Sequence, residues 1–222
     1  MKFSRPVELM PEAEKGSAAA PSAVRVILAS GSPRRHDLLL MAGIAHEVLP
    51  ADVDETYRTG EEPSAYAERL AREKGASVAA RAPSALIIAA DTIVVIDGQV
   101  LGKPRDGSDA SRMLRMLSGR MHQVVTAIAV ARFGRLESAV DIVQVKFREL
   151  TDDDITNYIG TGEPADKAGA YGIQGYGATI VERIDGDYFA VMGMSLLRLT
   201  RLMRRLGAEY VFDGVRDTAN RP

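Results

Sequence analysis

The chain of 222 residues contains no cysteine and no tryptophan, and only three histidines. Without cysteine there is no disulfide, no thiol nucleophile and no thiolate metal site. The histidines, His36, His46 and His122, fall in none of the spacings of a zinc hydrolase helix. Charge of one sign is also scarce in excess: the net charge is −2, so bulk electrostatics give no reason to expect a nucleic acid or a membrane surface as partner. No apolar run approaches the length of a membrane span. After Lys2 and Arg5, the residues Pro6, Glu8, Pro11, Glu12 and Glu14 interrupt the apolar core that a signal peptide needs. The expectation is a cytoplasmic protein whose ion chemistry comes from local clusters. A hard-metal site built of carboxylates stays open.

What is present is ordinary in bulk. Hydrophobic residues make up 46% and charged residues 26%, enough for one sizeable core. Residues 1–22, ending Gly-Ser-Ala-Ala-Ala-Pro-Ser, read as a flexible tail. Residues 23–212 read as a single domain, and 213–222 as a second loose tail. The domain alternates strand and helix. The apolar run Val24 to Ala29 predicts a strand buried on both faces. Helices follow over Pro33 to Ala42, Ser64 to Ala80 and Ser108 to Ser118. The second of these has Ala67, Leu70, Ala71 and Val78 in one apolar stripe. Ala85 to Ala90 predicts another buried strand, and Asp97-Gly98 a hairpin between Ile93–Ile96 and Gln99–Leu101. Val124 to Ala131 and Val140 to Phe147 pair around Gly134, and Thr151 to Asp154 opens a short capped helix. A strand over Thr179 to Ile184 and a helix over Ser195 to Leu206 complete an α/β fold with a mixed, elongated sheet flanked by helices.

The chemistry starts at Ser30-Gly-Ser-Pro-Arg-Arg35. Ser32 suits a helix N-cap and Pro33 the first helical position. Arg34 and Arg35 then stand in the first turn, where the helix dipole disfavours cations. A bound anion, phosphate above all, resolves that conflict; solvated arginines on a capped helix are the plainer alternative. Asp91 follows a buried apolar run, the place where open α/β sheets put ligands, or it is a turn former before the hairpin. Lys103, in Gly98-Gln-Val-Leu-Gly-Lys-Pro104, fails as a P-loop lysine because the glycine spacing is short and Pro104 replaces the hydroxyl. It remains either a phosphate-facing charge or a surface lysine. Asp52, Asp54 and Glu55 could hold a divalent cation or form a solvated acidic loop. Lys74, one turn after Leu70, reaches the cleft or pairs with Glu68 or Glu73. Gly160 to Ala178 reads as a long glycine-rich loop carrying Asp166, Lys167, Tyr171 and Gln174, functional or disordered.

Five ordered motifs carry a resemblance: Ser30 to Arg35, Ala90-Asp-Thr92, Leu101-Gly-Lys-Pro104, Leu117-Ser-Gly-Arg120, and Lys167-Ala-Gly-Ala-Tyr-Gly-Ile-Gln-Gly175. Together they resemble the Maf family of septum-formation-inhibitor-like nucleoside triphosphate pyrophosphatases, over about Val24 to Leu206. The resemblance implies a fold of two lobes around a central cleft, akin to inosine triphosphate pyrophosphatases. It implies hydrolysis of a phosphoric anhydride, giving a monophosphate and pyrophosphate with a divalent metal, Mg2+ or Mn2+. The Gly-Ile-Gln-Gly form of the last motif is similar to the branch acting on dTTP and UTP. By the same resemblance Asp91 is the proton acceptor, and Arg34, Thr92 and Gln174 set specificity. Ser32, Arg35, Lys74 and Lys103 line the substrate site, Glu55 serves the metal, and a homodimer is implied. A non-catalytic nucleotide-binding regulator of septum formation, and a pyrophosphatase for damaged purine nucleotides, are the competing readings.

Overall fold

A computed structural model describes residues 24–212 and 214–219. The expected N-terminal tail, 1–22, lies outside the described residues. Strand β1 (Val26–Leu28) leads through helix α1 (Pro33–Met41) to β2 (Glu47–Val48), and both neighbours of β1 are parallel to it. Helix α2 (Pro63–Arg81) precedes β3 (Leu86–Ile96), which turns into β4 (Gln99–Leu101). Helix α3 (Gly107–Leu117), the long hairpin of β5 (Met121–Arg132) and β6 (Arg135–Phe147), and helix α4 (Asp152–Gly160) come next. The chain closes with β7 (Val181–Asp185), α5 (Tyr188–Met192), α6 (Leu196–Arg205) and a hairpin of β8 (Ala208–Tyr210) and β9 (Val215–Asp217). The main sheet runs β2-β1-β3-β5-β6-β7, with β4 also on β3.

One strand organises everything else. β3 is a single run of 11 residues, where the sequence suggested two segments broken at Asp91. Its antiparallel pairing with β5 is continuous from Ile87 to Val95. Its other edge is divided. β1 pairs with residues 86–88, and β4 with residues 94–96. Between Ile88 and Val94 that edge has no neighbouring strand, because β1 has ended in the turn to α1 and β4 has yet to arrive. Asp91 therefore sits mid-strand rather than at a strand end, and the gap in the sheet performs the task that a strand terminus performs in an open sheet.

The pleat sorts the residues of β3. Ile87, Ala89, Ile93 and Val95 face the buried stripe of α2, which includes Ala67, Leu70, Ala71 and Val78. Gly75 faces the same layer, where Ala89, Ala129 and Leu136 are its neighbours. The opposite face carries two apolar clusters. Leu86, Ile88 and Ala90 join the core under α1 and α6, while Val94 and Ile96 join the core under α3 and α4. These are the two lobes, and Thr92 lies at the seam.

Local rules account for the boundaries. Asp97 and Gly98 both have positive φ, as a two-residue hairpin turn requires. Thr151 and Asp154 form the reciprocal capping box expected of them. Of the two alternatives for Gly160–Ala178, disorder is not the one taken: the segment is ordered, with short 3-10 turns at Glu163–Asp166, Ala168–Ala170 and Gly175–Thr179. The stretch expected as a loose C-terminal tail carries a strand, β9, within its described residues 214–219. Arg132, 4% exposed, donates to the Gly207 carbonyl at 2.6 Å and to Asp217 Oδ2 at 2.7 Å, which fixes the β8–β9 hairpin to the end of β5.

Candidate active site

The gap in the β3 edge opens into a cavity of about 830 Å³. Nine residues singled out from the sequence line it, namely Ser32, Arg34, Arg35, Glu55, Lys74 and Asp91, together with Thr92, Lys103 and Gln174, whereas Asp52 and Asp54 do not. They come from distant parts of the chain: Ser32, Arg34 and Arg35 from the start of α1, Asp91 and Thr92 from β3, Lys74 from α2, and Glu55, Lys103 and Gln174 from loops.

On the α2 side, Lys74 occupies the buried stripe one turn beyond Leu70 and is 9% exposed. Its ammonium donates to Asp91 Oδ1 at 2.6 Å and pairs with Glu55 Oε1 at 2.7 Å. Two carboxylates thus converge on one cation, and the alternatives of pairing with Glu68 or Glu73 are not taken. Asp91 is 7% exposed, so Lys74 offsets a charge that water solvates poorly. Glu55 is delivered by a loop that α2 holds: Tyr66 donates its hydroxyl proton to the Glu55 carbonyl at 2.7 Å, and Arg69 grips Glu61 and the Thr56 carbonyl. The acidic trio itself does not converge. Asp54 accepts from the Thr56 N–H and hydroxyl, which hold it below the ordinary carboxylate value, and Asp52 is exposed. Among the described residues no group of three His, Cys, Asp or Glu side chains is arranged to hold a metal.

On the other side stands the N-terminus of α1. Ser32 is at the N-cap, but its side chain makes no capping bond. Helices α3, α4, α5 and α6 each have such a bond, and α2, behind Glu62, has none either. The first-turn amides of α1 are thus left to another acceptor. The two arginines differ. Arg35 is committed: Nε donates to the Gly193 carbonyl at 3.1 Å, and its two terminal nitrogens donate to Ser30 Oγ at 3.0 Å and Thr92 Oγ1 at 3.1 Å. Burial pulls it below the ordinary arginine value, against the opposing charge of Asp91. Arg34 reaches across the cavity mouth to Asp166 at 3.1 Å. Burial alone would raise Asp166, but the cations Lys167 and Arg34 outweigh it and hold that carboxyl below its usual range.

Thr92 is held at the seam. Thr126, its cross-strand partner and fully buried, has its hydroxyl 2.7 Å from the Ala190 carbonyl and 3.0 Å from Thr92 Oγ1. Since Thr126 has one proton and the carbonyl can only accept, Thr92 donates to Thr126 and accepts from Arg35. Its hydroxyl acts on the site through Arg35. Lys103 is exposed just after β4, and Gln174 is exposed on the loop opposite. Thr126 and Gly193 have no sequence signal of their own; only the register of β5 on β3 finds the first. The motif at Leu117 to Arg120 is structural: Gly119 turns at φ +66°, and Arg120 grips both oxygens of Asp97 at 2.7 Å, bracing the β3–β4 hairpin that ends in Lys103.

Residues 25–206 match the family model described as Maf-like protein. The chain is similar to the dTTP/UTP pyrophosphatase of Aquifex aeolicus, at 48% identity over 183 residues, 82% of this chain and 96% of that one. It is similar to the dTTP/UTP pyrophosphatase of Syntrophomonas wolfei, at 50% identity over 186 residues, 83% and 98% of the two chains. A weaker likeness, at 14% identity and a TM-score of 0.43 over 82% of this chain and 95% of the other, is to the nucleoside-triphosphatase / dITP/XTP pyrophosphatase of Mycobacterium abscessus. With four of the five motifs around one cavity, the fifth bracing the β3–β4 hairpin, and the family match spanning residues 25–206, the chain belongs to the Maf-like proteins.

Proposed function

We propose that the cavity hydrolyses nucleoside triphosphates, dTTP and UTP in preference, to the monophosphate and pyrophosphate. The observation that carries this reading is the convergence of Glu55 and Asp91 on Lys74, in the same cavity as the uncapped N-terminus of α1. The names of the relatives, similar over nearly their whole length, support the substrate.

Each part has a task. The free amides of α1 and the guanidinium of Arg34 bind phosphate oxygens, with Lys103 adding charge from the far wall. Arg35, Thr92 and Ser30 keep that helix end in place. Asp91 takes the proton from the attacking water, and Lys74 holds its carboxylate in position. Phosphoryl transfer asks for charge neutralisation and alignment more than for a covalent nucleophile, and the cavity offers both. For a divalent cation, Mg2+ or Mn2+, Glu55 is the carboxylate that would hold it, together with the triphosphate, which leaves Asp91 as the base. The cation's contribution would be to neutralise charge on the phosphates. The amide of Gln174 offers a donor beside an acceptor, which matches the carbonyl and N–H of a uracil or thymine edge.

The test is pyrophosphate release across a panel of dTTP, UTP, CTP, GTP, dITP and XTP, with Mg2+ or Mn2+ and after chelation. The expected result is metal-dependent release, fastest for dTTP and UTP. A preference for a purine triphosphate, or full activity in chelator, overturns it.

A further inference from the structure

The loop that carries Gln174 is organised by a residue of the cavity wall to which the proposed reaction gives no step. Glu163 turns its carboxylate back into residues 172–177. Oε1 accepts from the Tyr158 hydroxyl at 2.8 Å and from the Gly177 N–H at 3.0 Å, and Oε2 accepts from the Tyr176 N–H at 2.9 Å. The Tyr158 hydroxyl also accepts from the Gly172 N–H at 3.1 Å, so its own proton goes to Glu163. The anchored amides, Gly172 before and Tyr176 and Gly177 after, bracket Gln174.

The glycines of this loop fit the same arrangement. A Cβ on Gly175 would collide with Glu163 Oε2, while one on Gly177 would first meet the Gly172 carbonyl and one on Gly172 the Lys167 side chain, each with Oε1 close by. Gly175 also has φ +63°. Gly175, the last glycine of the motif, is thus what admits the carboxylate. The rest of the segment is anchored without it. Tyr171 reaches His122 Nε2 at 2.7 Å, and the Gly169 N–H donates to the Gly102 carbonyl at 3.0 Å. Loss of the carboxylate would free the stretch around Gln174 and leave the segment in place.

We propose that Glu163, with Tyr158, is the positioning residue that aims the Gln174 amide and thereby sets the base preference of the site. The proposal rests on Gln174 as the base-reading group. An ionised carboxylate only accepts hydrogen bonds, and here it meets donors at both oxygens. The isosteric amide of Glu163→Gln turns a donor toward either Tyr176 or Gly177, so an anchor is lost without a change of volume.

The experiment compares wild type, Glu163→Gln, Tyr158→Phe, Gln174→Ala and the Glu163→Gln/Gln174→Ala double variant. It measures kcat and KM for dTTP and GTP, and inhibition by inorganic tripolyphosphate, which has no base. Glu163→Gln is expected to lower kcat/KM for dTTP by roughly tenfold, chiefly through KM. GTP turnover and the tripolyphosphate inhibition constant should hardly move, and Tyr158→Phe should move the same quantities in the same direction. Added to Gln174→Ala, Glu163→Gln should bring no further loss of preference. Equal losses on both nucleotides, weakened tripolyphosphate binding, or an undiminished effect in the Gln174→Ala background would overturn the proposal. A wild type without pyrimidine preference refutes the substrate assignment separately; the role of Glu163 is then decided by whether Glu163→Gln changes whatever ranking the wild type has.

Discussion

At the scale of the residue, neighbours in sequence have unlike duties. In the sequence Arg34 and Arg35 stand side by side in the first turn of a helix, both candidates for the same anion. The hydrogen bonds separate them. Arg35 ties three parts of the fold together through Gly193, Ser30 and Thr92, whereas Arg34 makes one partly exposed pair with Asp166. Arg35→Ala is expected to destabilise the apo protein by about 1–3 kcal/mol, the cost of buried partners left unpaired. Arg34→Ala should leave the apo melting temperature almost unchanged and weaken triphosphate binding. Differential scanning calorimetry and nucleotide titration of the two variants check this; equal melting temperatures would contradict it.

At the scale of the element, most of the architecture was legible. The stripe of α2, the Asp97-Gly98 turn and the Thr151 capping box are local patterns, and local patterns survive tertiary context. What was hidden depended on partners far along the chain. The continuity of β3 through Asp91 is set by its register on β5, and the order in Gly160–Ala178 by the Glu163 carboxylate around Gln174 and by His122 and the Gly102 carbonyl before it. The β8–β9 hairpin is held by Arg132 and by the packing of Ala208, Tyr210 and Val215 on the core. In the site, the residue types could be read but the Lys74 bridge and the Thr126 relay could not, since each needs a strand and a helix placed against one another. His122 links β5 to the Gln174 loop, and burial pushes its imidazole down from 6.5 to about 4. Above pH 6.5 it is neutral folded and unfolded, and its contribution is complete. As pH falls from 6.5 toward 4 the unfolded chain takes up the proton first, so stability drops, by up to about 3 kcal/mol. The pH dependence of the melting temperature, compared between wild type and His122→Gln, reads this directly: the variant should lose part of the slope in that window, and an unchanged slope would exclude His122 as its source.

At the scale of the molecule, the cleft is a consequence of topology. β1 and β4 share one edge of β3 and leave its middle uncovered. Into that opening come the open end of α1 from one side and the Lys74–Asp91–Glu55 cluster from the other. The central claim is that this cluster carries the proton transfer of anhydride hydrolysis. Asp91→Asn keeps the shape of the side chain and removes its capacity as a base. The measurement is a product-by-product assay of dTTP with Mg2+, wild type beside Asp91→Asn, with nucleotide binding measured in parallel. The prediction is that wild type yields dTMP and pyrophosphate in equal amounts, while Asp91→Asn binds dTTP and turns over about 10²–10⁴-fold more slowly. Production of dTDP and phosphate by the wild type, or near-normal turnover by Asp91→Asn, would contradict it.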